Sequence, residues 1–205
     1  MYTTRTGLIL GFHGCDKSVL QNILLGNDTL KPSKNQYDWL GNGIYFWDNS
    51  PTRALEFAHT LMTNPGRSKK PIKEPAVLGA VLNLGYCLDL LDYENLEFLR
   101  DAYDIFMSPY IGSDLAIPRN TAGGSKEDLL HRELDCAVIQ TLHQVRGLGK
   151  LRPFDSVRGV FWEGKLLYPD AGFREKDHIQ ICICNPNCIK GYFLPMAENL
   201  DAPPV

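Results

Sequence analysis

The apolar residues of this chain come in short runs, and that limits what it can fold into. The two longest, Ala76 to Leu84 and Ile179 to Cys184, fall far below the roughly 20 residues a membrane-crossing helix needs. They must be buried against one another inside a water-soluble core. In the first half, short runs alternate with turn-rich loops, whereas Tyr93 to Met107 and Lys126 to Val145 carry apolar residues at helical spacing. Strands and helices are therefore segregated as in an α+β chain, and no regular βαβ series is expected. With 205 residues, 44% of them hydrophobic, the chain has the size and balance of one domain spanning residues 1–205. The polar start and the lack of a long apolar segment point to a cytoplasmic protein with no membrane partner. Six cysteines in such a setting are expected as free thiols. A net charge of -3 supplies no global electrostatic pull toward nucleic acid.

Local signals divide the chain further. A strand is predicted at Leu8 to His13, then a helix over about Lys17 to Leu25, with Asp16 as N-cap and Gly26 as stop. Gly41-Asn42-Gly43 leads into a strand at Ile44 to Trp47, and Pro51 suits the first turn of a helix running to about Met62. Asn64 to Pro75, with three prolines and several cations, reads as an exposed, mobile loop. Ala76 to Leu84 and Val157 to Trp162 read as further strands. Ile179 to Cys184 alternates, with Ile179, Ile181 and Ile183 on one face and Gln180, Cys182 and Cys184 on the other. Asn185-Pro186-Asn187 turns the chain, Ile189 to Leu194 returns, and the tail Asp201 to Val205 is expected to be disordered.

Two segments suggest chemistry. Phe12-His13-Gly14 closes the first strand, and Gly41-Asn42-Gly43-Ile44-Tyr45-Phe46-Trp47 opens the second. A histidine followed by glycine can hydrogen-bond a ligand that approaches the bare backbone, and a structural histidine before a turn explains the pair equally well. A tyrosine beside a glycine-rich turn can stack on an aromatic ligand, although strand aromatics more commonly belong to the core.

These segments resemble the ADP-ribosyltransferase superfamily, in its branch related to diphtheria toxin and the poly(ADP-ribose) polymerases. His13-Gly14-Cys15 with the following helix looks like that family's first motif. Gly41 to Phe46 followed by Ser50-Pro51-Thr52-Arg53-Ala54 looks like the second, and Gln180 to Leu194 resembles the last strand pair. The resemblance implies a split antiparallel β core with NAD+ as substrate in a cleft between its halves. His13 would bind the ribose of the nicotinamide nucleoside, Gly14 the carboxamide through its backbone, and Tyr45 would stack on the ring. Phe57 is the nearest match to the second stacking aromatic, one residue out of register, and Cys15 and Gly43 join the NAD+-binding set. No metal is implied.

The sequence departs from the family where a catalytic glutamate usually stands, since Gln180 occupies that place. Glutamine can hydrogen-bond a ribose hydroxyl but cannot act as a general base or place a negative charge beside a ribosyl cation. Glu175, in the preceding loop, is a candidate replacement, and a solvated loop charge explains it as well. Transfer of a single ADP-ribose, as by a bacterial mono-ADP-ribosyltransferase toxin or defence effector, fits this pattern better than polymer synthesis. NAD+ hydrolysis and a non-catalytic NAD+ or ADP-ribose sensor are the alternatives. The acceptor would be a macromolecule, protein or nucleic acid; the basic loop Arg67 to Lys73 could guide an anionic one, and a solubilising role explains that loop better.

His178, Cys182, Cys184 and Cys188 raise a zinc site, disfavoured because no CxxC knuckle is present. His59, His131 and His143 fall in expected helices. Arg132, Glu133 and Asp135 read as the solvated face of an amphipathic helix.

Overall fold

The computed structural model describes residues 7–67, 70–122 and 128–196. The expected tail 201–205, Lys69 and Lys126 lie outside the described residues. Among the described residues the fold is mixed α/β, with a seven-stranded sheet and four α-helices. Strand β1 (Ile9–Asp16) leads directly into α1 (Lys17–Leu24). Asp16 caps that helix, its carboxylate accepting from the Ser18 amide, and Gly26 ends it with φ +74°. Then come β2 (Ile44–Asp48) and α2 (Pro51–Thr63), followed by β3 (Pro75–Leu82) and β4 (Cys87–Asp89). Helix α3 (Tyr93–Met107), the short pair β5 (Asn120–Thr121) and β6 (His131–Arg132), and α4 (Glu133–Leu148) form the middle of the chain. Strands β7 (Ser156–Phe161), β8 (His178–Ile183) and β9 (Ile189–Phe193) complete it.

The sheet order is β4-β7-β8-β2-β1-β3-β9, antiparallel except for β4 beside β7. Its weakest seam lies between β1 and β2, which share only the register pairs Gly11 with Asp48 and Phe12 with Trp47. Strand β1 stays paired with β3 along its whole length.

Alternation fixes what each face buries. Phe46, Leu78, Leu82, Ile181 and Ile183 form one core with Leu20 and Ile23 of α1. The opposite face packs against the remaining helices in two patches. Phe12, Trp47 and Ala54 form one, under α2, and Leu88, Val138, Ile139, Leu142, Val157 and Cys182 form the other, under α3 and α4. Ile181 and Cys182 fall on opposite faces, as the alternation of this strand predicts.

Two expectations are corrected, and one element was not anticipated. His131 lies in β6 and not in a helix, because the helical block begins only at Glu133. The end of the loop before β3 is anchored: Ile72 is buried, and Asp16 also accepts hydrogen bonds from the Lys73 and Glu74 amides. Strand β4 and its parallel pairing carry no alternation that sets them apart in the sequence, since three residues are too few for a period to register.

Candidate functional site

The seam between β1 and β2 places the two sequence motifs together. Beyond Phe12 the strands part, and the His13 imidazole bridges them, its Nδ1–H donating to the Tyr45 carbonyl at 2.8 Å. A carbonyl can only accept, so Nδ1 carries the proton. Burial lowers the His13 pKa against the opposing effect of that hydrogen bond, leaving a neutral ring with Nε2 as an acceptor. The ring meets Phe46 edge-on at 5.9 Å.

Tyr45 joins His13 through its main chain, while its side chain serves another purpose. The phenol oxygen accepts from the Leu40 amide and donates to the Gly41 carbonyl, closing the turn that precedes β2. Its ring packs beside the α3 and α4 core, and burial holds its pKa well above the ordinary value.

The motif glycines have packing reasons of their own. A Cβ on Gly14 would lie 2.0 Å from the Ala54 carbonyl oxygen, so α2 can sit directly on β1 only because both residues are small. On Gly43, a Cβ would lie 2.4 Å from Cys182 Sγ. Cys15 is buried in the α1 core, and burial pushes its thiol up to about 11. Phe57 covers Trp47, with ring centroids 5.0 Å apart.

Gln180 stands in the middle of the sheet, opposite Trp47 of β2 and Gly159 of β7. Its Oε1 accepts from Trp39 Nε1 at 2.8 Å. Because an indole can only donate, the atom facing it must be the amide oxygen, which leaves the Gln180 NH2 group as a donor. Gly159 makes this possible: any side chain there would crowd Trp39, whose ring lies 3.3 Å from an ideal Cβ. Trp39 also meets Phe161 at 4.8 Å, and the Arg132 guanidinium lies over both rings, at 5.1 and 4.5 Å. Arg132 is therefore half-buried over aromatic rings, not on a solvated helix face.

Glu175 is not drawn into this group. It is exposed, and its carboxylate accepts from the Lys165 amide within the β7–β8 connection. The carboxylates near the start of β8 are others. Glu163 and Glu56 both pair with Arg53, and Lys176 reaches Glu56 at 2.5 Å. Burial raises the Glu163 pKa despite the Arg53 charge.

Trp39, Trp47, Gly159, Phe161, Arg132 and His178 were not singled out by sequence reasoning as parts of one site. Only Gly159 carries a local signal, a glycine inside a strand pattern, which marks close approach of another group. The others come together through contacts between elements far apart in the chain, such as Trp39 with Phe161 and Trp47 with His178.

Cys182, Cys184 and Cys188 are free thiols, as are the other three cysteines. Among the described residues no group of three His, Cys, Asp or Glu side chains could hold a metal ion, and no helix is long and apolar enough to cross a membrane. No protein-family profile, curated protein or solved structure matches this chain.

Proposed function

We propose that the chain is an NAD+-dependent mono-ADP-ribosyltransferase, acting in the cytoplasm on a macromolecular acceptor, protein or nucleic acid. The observation that carries this reading is the parting of β1 and β2 around a neutral His13 whose Nε2 is left as an acceptor. An acceptor nitrogen in a gap between strands is complementary to a ribose hydroxyl, which donates. The Gln180 amide, its oxygen held by Trp39, keeps its NH2 group as a donor for a substrate oxygen. The free cysteines agree with a reducing compartment.

The chemistry asks little of acid–base groups. Cleaving the bond between nicotinamide and ribose develops positive charge on the sugar, and the cationic nicotinamide leaves as a neutral molecule. The protein must orient both parts, and ideal orientation alone supplies up to roughly 7–11 kcal/mol. With no carboxylate at position 180, polymer elongation is not part of this proposal.

The test is nicotinamide release from NAD+ by the purified protein, alone and with cell lysate, DNA or RNA. Wild type is expected to release nicotinamide, and His13→Ala to lose at least about tenfold, the typical scale for a lost positioning contact. NAD+ binding without release under any condition would favour the sensor. Failure to bind NAD+ would refute the assignment.

A further inference from the structure

Of the six cysteines, five are buried, and Cys184 is the one that is not. It stands half-buried just past the end of β8. Strand parity sets it on the same face as Cys182, so both side chains pack in the core under α3 and α4.

Main-chain contacts fix its position. The amides of Cys184 and Asn185 both donate to the Asp155 carbonyl, at 3.0 and 2.9 Å, and Asn185 Nδ2 donates to the Asp155 carboxylate at 2.7 Å. The adjoining Phe154 is buried and meets His143 of α4 edge-on, with ring centroids 6.0 Å apart. Phe154 and Asp155 thereby bring His143 and Cys184 together, and the two side chains hydrogen-bond.

Cys182 makes the second contact. Its sulfur is fully buried, hydrogen-bonds to that of Cys184 and lies 3.7 Å from the Gly41 carbonyl oxygen. A thiol has one proton to donate, and a thiolate is a stronger acceptor than a carbonyl. Ionisation therefore belongs to Cys184, beside an imidazole and near the surface, and Cys182 donates to it. The hydrogen bond with Cys182, then that with His143, hold the Cys184 thiol below its ordinary value against the effect of burial, which holds Cys182 well above its own. The surrounding charges are committed elsewhere. The Asp155 carboxylate is engaged by Asn185, Arg152 and the Tyr86 amide, while the Arg146 guanidinium lies over Phe154. Cys188 is buried in the α1 core on the other face of the sheet.

Two properties follow. A thiolate that is half-buried favours small electrophiles over bulky ones. Cα atoms two residues apart on a strand are separated by about 7 Å, beyond the usual span of a disulfide, so Cys182 assists Cys184 without pairing covalently with it.

We propose that Cys184, with His143 as its proton partner, is a modification site for small peroxides, which convert it to a sulfenic acid. This inference is independent of the transferase reading. In the step, the thiol proton passes to His143 and the Cys184 sulfur attacks one peroxide oxygen. The S–O bond forms as the O–O bond breaks, and its electron pair leaves with the second oxygen. His143 returns the proton to that oxygen, which departs as water. The sulfur is oxidised by two electrons and the peroxide is reduced by two.

The test treats the purified, reduced protein with hydrogen peroxide in the presence of dimedone, which traps sulfenic acids, and reads each cysteine by peptide mass spectrometry. The Cys184 adduct is expected to form at least about tenfold faster than that of any other cysteine. His143→Asn is expected to slow it by about tenfold or more, a modest loss for a proton-transfer group because water can also supply the proton. Alkylation by iodoacetamide across pH reads the thiol without peroxide. The wild-type inflection for Cys184 is expected below the ordinary thiol value of about 8.5, and in His143→Asn it moves upward, which a merely structural role for His143 would not produce. Thermal unfolding checks the variant, and His143→Gln replaces it if it does not fold. Equal labelling of the cysteines, or a wild-type inflection at or above the ordinary value, overturns the site. The mass loss of a disulfide with no dimedone adduct overturns the sulfenic acid. An unchanged rate and pH profile in the folded variant overturn the role of His143.

Discussion

Replacing Gln180 by glutamate is expected to accelerate nicotinamide release, and the structure sets the scale. Trp39 Nε1–H already donates to Oε1 of the side chain, so a glutamate keeps that contact through one oxygen and presents the second where the NH2 group stood. If the site stabilises a ribosyl cation, a full negative charge at about 4 Å contributes about 4 kcal/mol at an effective dielectric near 20. Part of this is lost to desolvation, because Gln180 is half-buried between Trp47 and Gly159. A net gain of about 2–3 kcal/mol corresponds to a roughly 30- to 150-fold faster release. The assay is the initial rate of nicotinamide release at saturating NAD+, with Gln180→Met as the near-isosteric variant that lacks the amide donor and is expected to be slower than wild type. Thermal unfolding of all three proteins guards against a loss of fold. A correctly folded glutamate variant no faster than wild type would refute the argument that charge development at the sugar governs this site.

Other consequences are equally direct. Gly14→Ala drives a methyl group into the Ala54 carbonyl and should lower stability by about 1–3 kcal/mol, seen as a lower melting temperature. Arg158 is buried between Asp48 and Asp89, with contacts of 3.0 and 3.2 Å. Arg158→Leu removes the cation that both carboxylates share and should cost about 3–5 kcal/mol, measurable as a shifted denaturant midpoint. His178 binds its proton more weakly folded, at about 4, than unfolded, at about 6.5, so the unfolded state holds more protons between those values. Its contribution is complete above pH 6.5 and is lost as pH falls toward 4, by about 3 kcal/mol. Burial lowers the His13 pKa in the same sense and raises that of Glu163 in the opposite one. Comparing wild type with His178→Asn across this range isolates the effect, and equal pH slopes would exclude it.

The sequence expressed those parts of the fold that depend on neighbours along the chain. The Asp16 cap, Pro51 at the start of α2, the bounds of α3 and the alternation of β8 all follow from residues within a few positions of one another. The site was legible only in outline. His13 and Tyr45 do meet, but through a carbonyl that no side-chain pattern announces. The hold of Trp39 on Gln180 spans 141 residues, and the stack of His178 on Phe161 depends on β7–β8 register. Arg132 looked solvated because its helix is amphipathic, yet it lies just before the helix, where the chain direction and not the periodicity decides its surroundings.

The order of strands also says when a site of this kind can exist during synthesis. β1 and β2 are made within the first 50 residues, yet the far edge of β2 is covered by β8, and the far edge of β3 by β9. Until residues near 193 have left the ribosome, two strands of the nascent chain carry open edges, the feature that invites association with other chains. Gln180 and His178 stand on β8, which is made long after β1 and β2. If the transferase reading holds, turnover of NAD+ can begin only once β8 has joined β2.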